Sequence, residues 1–220
     1  MKQSAPTAYT PGEELANALT HGAGIALSVT GLAVLVTFAS LRSDAWGVTA
    51  TAIFGASLVL LYSASTLYHS FRNEALKRLL RKFDHAAIFL LIAGTYTPFQ
   101  LVSLRGPWGW SLLGVIWALA VAGVTMKFWF TGRFGVLSTL LYLAMGWLMV
   151  IAIRPMLHAV PPNGLWLLLA GGLCYTVGTV FYSWKRLPFH HAVWHLFVMG
   201  GSVCHFFAVW FAVIPGVGGA

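Results

Sequence analysis

At 220 residues, 59% hydrophobic and only 8% charged, the chain departs from the roughly one-quarter charged composition of soluble domains and reads as an integral membrane protein with no room for a second domain. Its formal net charge of +8 is spread over the connections between apolar runs, as a membrane topology signal is, which excludes nucleic acid as a partner. The two cysteines, Cys174 and Cys204, fall inside apolar runs without a Cys-x-x-Cys spacing, excluding a disulfide framework and a thiolate metal site.

A spanning helix needs about 20 mostly apolar residues. Hydropathy and turn signals mark seven such stretches, near 18–40, 46–69, 84–104, 108–128, 134–153, 164–184 and 190–213. The predicted fold is therefore all-α, a seven-transmembrane helix bundle with a short segment 1–17 before it and a tail 214–220 after it. Short connections make sequential helices antiparallel neighbours.

Segment 1–17 holds Pro6, Pro11, Gly12 and two glutamates. It lacks the basic start and short apolar core of a cleaved signal peptide, so the first helix is expected to be retained. Thr20 and His21 open the first apolar run, and Trp46 and Trp108 start later ones at interface depth. The basic stretch "FRNEALKRLLRKFD" after the second run reads as an amphipathic loop lying against anionic lipid. Pro98, inside the third run, predicts a kink with Thr95 or Thr97 bonding freed carbonyls. Pro107, Pro155, Pro161, Pro162 and Pro188 are placed in connections. Gly171, Gly172 and Gly178, with Gly200 and Gly201, allow close helix approach in the last two runs.

Charge sets the predicted orientation. Lys2, Arg72, Lys77, Arg78, Arg81, Lys82, Lys127, Arg133, Lys185 and Arg186 share one side with the N-terminus, leaving Arg42, Arg105 and Arg154 for the other. The positive-inside rule then puts the N-terminus in the cytoplasm and, after seven crossings, the C-terminus outside.

Five polar groups fall at the ends of three apolar runs on that same cytoplasmic side: Ser65 and His69, Asp84, and His191 and His195. Burying such groups in lipid is costly unless a partner or a metal compensates. Residues four apart share a helix face, so Ser65 lies one turn behind His69, and His191 and His195 form a pair able to chelate one ion. Three histidines plus one open position is the usual catalytic zinc arrangement. Asp84 then either caps the third helix or orients a ligand and takes a proton. Ser65 either holds a water or bonds its own helix. Glu14, Asn17 and His21, at i, i+3 and i+7, lie on one face as a second shell for the same ion or as an ordinary acidic helix start. His85, His190 and His158 are expected to be structural or solvated. His205, about 15 Å deeper than His195 at helical rise, is expected as a hydrogen-bonded core histidine.

The segments "EELANALTH", "SASTLYHS", "FDHAAIFLLIAGTYTPF" and "HHAVWHLFVMGGSVCHFF" resemble the hemolysin III branch of the progestin and adipoQ receptor family over nearly the whole chain. The resemblance implies seven spans with a cytoplasmic N-terminus and a zinc held by His69, His191 and His195, with Asp84 and Ser65 at the matching motif positions. It also implies membrane lipid as the substrate or ligand, and a bacterial inner-membrane protein. The receptors' longer N-terminal domain has no counterpart here, so no protein hormone is expected. The leading function is zinc-dependent hydrolysis of a lipid amide or ester, similar to the alkaline ceramidases. The alternative is a non-enzymatic membrane sensor stapled by zinc. A pore finds no amphipathic lining segment in this sequence, and a transporter would rest on His205 and His21 as relay groups.

Overall fold

Thr10 starts the first helix two turns before its apolar run. Its hydroxyl accepts from the Glu13 amide at 3.2 Å while the Glu13 carboxylate accepts from the Thr10 amide at 2.8 Å, a reciprocal cap that satisfies two orphan donors. Helix α1 (Pro11–Arg42) therefore includes Glu14 and Asn17 as helical residues. The computed structural model describes residues 9–130 and 134–214; Lys2, Pro6, Arg133 and residues 215–220 of the tail lie outside the described residues.

Helix α2 (Ala45–Ser70) is capped by Asp44, whose carboxylate accepts from the Trp46 and Gly47 amides at 3.1 and 3.0 Å. Arg105 donates to the same carboxylate at 2.6 Å. The guanidinium and these amides hold the Asp44 carboxyl below the usual carboxylate range. Helix α3 (Glu74–Pro98) is capped by Asn73, which accepts from the Leu76 amide at 3.0 Å. This corrects two expectations. The basic stretch expected as a loop is the first turns of α3, because Asn73 and Glu74 supply a start signal that a hydropathy window does not register. Asp84 consequently sits in the middle of a helix and caps nothing.

Beyond Pro98 the third span continues as a π-helical turn, Phe99–Ser103. Thr95 and Thr97 bond the carbonyls of Leu91 and Ala93 at 2.8 Å, not that of Gly94, whose amide partner the proline removes. Helix α4 (Pro107–Phe130) begins with Pro107 in its first turn. A side chain at Gly109 would meet the carbonyl oxygens of Gln100 in that π-turn and of Leu104 just after it. These are backbone atoms that cannot swing away, so Gly109→Ala is expected to cost about 1–3 kcal/mol, read as a lower melting temperature in detergent.

The fifth span is broken: α5 (Gly135–Gly146), a 3-10 segment Leu148–Ala152, then α6 (Ile153–Ala159). Pro155 and His158, expected in an outside connection, lie within α6. Helices α7 (Pro162–Ser183) and α8 (His190–Val213) complete seven apolar spans, so the chain is an all-helical membrane bundle. Leu35, Phe54, Leu58, Leu61, Phe99 and Val209 form the core shared by α1, α2, the π-turn and α8. A smaller cluster around Phe89, Ile116 and Met145 joins α3, α4 and α5. Leu, Val, Phe and Trp side chains cover the outer faces, as contact with lipid tails allows.

Candidate metal centre

His69 ends α2, while His191 and His195 occupy the first two turns of α8. Antiparallel packing brings these termini to one end of the bundle. All three imidazoles are buried, and each offers a nitrogen within 4.8 Å of the other two. Their ring centroids are 4.5 to 5.3 Å apart.

The partners of these rings come from α1. The His69 Nδ1–H donates to Glu14 Oε2 at 2.6 Å, and the Asn17 carboxamide stands 3.4 Å from the same nitrogen. His69 Nε2 is then the lone-pair nitrogen, and it is buried with no hydrogen-bond partner among the described residues. The His195 Nδ1–H donates to the Asn17 carbonyl at 3.2 Å, with the Thr20 hydroxyl 3.1 Å away. His191 Nδ1 is also buried without a hydrogen-bond partner among the described residues. Buried imidazole nitrogens without partners are costly, and this donor set fits a borderline-soft divalent ion. Nitrogens at the usual distance from zinc would be about 3.4 Å apart, inside the 4.8 Å within which these three lie.

Glu14, Asn17 and His21, read from the sequence as one helix face, all reach the cluster. Glu14 is also held by Lys77 at 2.6 Å. His21 stacks on His195 with centroids 3.4 Å apart and 12° between planes, and both its nitrogens are without hydrogen-bond partners among the described residues. Sequence reasoning missed three neighbours. Tyr9 lies over the cluster, 5.2 to 5.9 Å from the rings of His69, His190 and His191, and burial pushes its phenol well above the ordinary value. Thr20 was read only as a helix opener and Lys77 only as part of a basic run. The i, i+3 spacing of Asn17 and Thr20 was the available signal for Thr20; Tyr9 had none.

A cavity of about 260 Å³ opens beside the histidines, lined by His191, His195, His21, Ser65 and Asp84. The Ser65 hydroxyl is buried and makes no hydrogen bond of ordinary geometry, although it is close enough to interact with the Asp84 carboxyl. Apolar residues such as Leu61, Ile88, Leu91, Ile92 and Val198 line the cavity further in. His205 bonds the Leu168 carbonyl through Nε2 at 3.3 Å, the core role expected for it. His85, expected to be structural or solvated, instead lines the cavity with Nδ1 unpartnered.

A three-histidine cluster beside a largely apolar cavity in a membrane bundle is the setting in which relatives become informative. The family described as "Haemolysin-III related" matches residues 9–206. The "Hemolysin-3" of Bacillus cereus is 51% identical over 203 residues, covering 92% of this chain and 93% of its own. The "Hemolysin-3 homolog" of Bacillus subtilis is 50% identical over 92% of this chain and 95% of its own. The human "Monocyte to macrophage differentiation factor" is 32% identical over 93% of this chain and 85% of its own. With a matching pattern and relatives over nearly its full span, the chain belongs to the haemolysin-III related family, the hemolysin III branch of the progestin and adipoQ receptors.

Proposed function

We propose that His69, His191 and His195 hold a zinc ion and that the protein hydrolyses a lipid amide or ester at the cytoplasmic face of a bacterial inner membrane. The observation that carries this reading is His69. One nitrogen is fixed by Glu14 and the other is buried and unpartnered, the carboxylate–histidine arrangement that orients metal ligands. Three histidines leave one zinc position open. Zinc in such a set supplies Lewis-acid polarisation of a carbonyl and acidification of water.

The chain's own groups do the rest. The Asp84 carboxylate takes a proton from the attacking water, then returns it to the departing amine or alkoxide as the acyl–heteroatom bond breaks. The Ser65 hydroxyl, one turn from His69 and beside the Asp84 carboxyl, donates to the carbonyl oxygen as charge builds there. The apolar walls take the acyl chain and exclude bulk water. Membrane lipid is the partner in this reading. The basic residues at the start of α3 and the end of α4 support a reading with the N-terminus and the cluster on the cytoplasmic side.

The test is release of fatty acid from ceramide, acyl-amide and acyl-ester lipids by the purified full chain. Turnover is expected that a chelator abolishes and zinc restores; no metal-dependent turnover on any lipid overturns the hydrolase. Glu14→Gln is expected to weaken zinc affinity about 10–100-fold, measured by competition with a chromogenic chelator.

The non-enzymatic alternative draws on the meeting of α1, α2 and α8 at the cluster. Here zinc only fastens the helices, and its removal lowers the melting temperature while no lipid is turned over.

A further inference from the structure

Beyond the histidine cluster the cavity has a deep end, lined by Thr95 of α3, by Tyr175, Thr176 and Thr179 of α7 and by His205 of α8. His205 follows His195 by ten residues on the same helix, about 15 Å along its axis. The three threonines offer no donor here. Each gives its hydroxyl proton to a carbonyl of its own helix, Thr95 to Leu91 at 2.8 Å, Thr176 to Gly172 and Thr179 to Thr176, both at 2.7 Å.

His205 and Tyr175 still have capacity to spare. The Leu168 carbonyl can only accept, so His205 Nε2 carries the proton of their 3.3 Å contact and Nδ1 is a lone-pair acceptor. That Nδ1 is buried with no hydrogen-bond partner among the described residues. The Tyr62 hydroxyl donates to Ser202 at 2.8 Å, and the Ser202 and Tyr175 hydroxyls lie 2.9 Å apart. Ser202 keeps its own proton partnered by giving it to Tyr175, which leaves the Tyr175 O–H as a donor. Both rings are seated by glycine: a side chain at Gly171 would strike the Cδ2–Nε2 edge of His205, and one at Gly201 the ring of Tyr175. The chain thus holds an acceptor and a donor side by side, ring centroids 5.4 Å apart, where Leu91, Ile92 and Val198 also form the wall.

A buried polar atom without a partner is costly, and a lone-pair nitrogen calls for a donor. An ammonium would bring a charge deep into the span, and the carboxylate among the lining residues, Asp84, lies eleven residues before Thr95 on α3, about 16 Å away along the axis. A ketone, ester or ether only accepts. A hydroxyl gives one hydrogen bond and takes another without charge.

We propose that His205 and Tyr175 bind a hydroxyl carried on the hydrocarbon chain of an acyl lipid whose polar head lies at the histidine end of the cavity. An extended chain advances about 1.2 Å per bond, so a hydroxyl about twelve carbons from the head reaches His205. This rests on the hydrolase reading for the position of the head, and it names that reading's substrates as lipids with hydroxylated acyl chains. Recognition of the hydroxyl itself requires no turnover.

The experiment is displacement of fluorescent parinaric acid from the purified full chain in an uncharged maltoside detergent. The competitors are stearate, hydroxystearate with its hydroxyl at the twelfth carbon, the isomer hydroxylated at the third carbon, and the ketone at the twelfth carbon. The twelfth-carbon alcohol is expected to compete about tenfold better than the other three, as a hydrogen bond to an otherwise orphaned buried acceptor provides. His205→Phe and Tyr175→Phe each keep an aromatic ring and remove the nitrogen or the hydroxyl, and each is expected to bring the alcohol down to the level of stearate. Tyr175→Phe carries the test if His205→Phe does not fold. Equal competition by the alcohol and stearate leaves the nitrogen to water and overturns the site. The third-carbon isomer matching the alcohol overturns the depth, and the ketone matching it overturns donation to His205. A preference that survives both variants overturns these residues as its source. A hydroxyl preference without metal-dependent turnover supports this site and removes the hydrolase reading alone; turnover without a hydroxyl preference does the reverse.

Discussion

His195→Ala is expected to abolish zinc retention, from about one ion per chain in the parent to a level indistinguishable from a metal-free control. Outer partners of a metal ligand are worth about 10–100-fold in affinity, so loss of a ligand itself should exceed about 100-fold. His195 is framed by α1: Asn17 accepts from its Nδ1, and His21 stacks on its face. Truncation therefore removes a ligand and also leaves the His21 ring without its neighbour. Elemental analysis after purification without chelator measures the first effect. The second appears as a fall in melting temperature that added zinc does not reverse. His195→Ala protein that retains one zinc per chain would falsify the three-histidine site.

Asp84→Asn is expected to leave zinc content unchanged and to reduce lipid hydrolysis by about 10²–10⁴-fold, the usual contribution of a positioned general base. Asparagine keeps the shape of the side chain and removes its basicity. A residue that merely filled space would lose little by this change. Asp84 is mid-helix in α3 and lines the cavity beside Ser65, so it has no helix-capping duty to confuse the result. The decisive measurement is the turnover rate at saturating lipid, alongside metal content and melting temperature on the same preparation. A variant with full zinc and normal turnover removes Asp84 from the chemistry.

The seven spans were legible because lipid imposes a simple rule: about 20 apolar residues, punctuated by caps and prolines. The histidine cluster was legible for a related reason. His69, His191 and His195 lie at span ends on one side, and antiparallel packing leaves them few other places to go. What hydropathy did not carry was helix without apolar character. Residues 74–83 are helical because Asn73 caps them, yet they read as a loop since four of them are basic and only one face is apolar. The π-turn after Pro98 and the break in the fifth span answer to packing between helices, which has no local signature. Arg81, which lines the cavity, was hidden for another reason: in sequence nothing distinguishes it from Arg78 and Lys82, and only helix rotation turns it inward.

Phe189, at the start of α8, has φ of 55°, the single described non-glycine residue with a left-handed backbone. Such a conformation is unfavourable by about 1–2 kcal/mol for a residue with a β-carbon. Its amide donates to the Glu13 carboxylate at 3.1 Å, and the tip of its ring lies where a side chain at Gly12 would meet it. The chain's beginning thus fastens the entry to its last helix. During synthesis Glu13, Glu14 and Asn17 emerge well before His191 and His195, so a nascent chain inserts α1 long before the α8 imidazoles exist. The histidine site is therefore a late product of maturation, and a chain stalled before α8 inserts has a membrane domain but no centre.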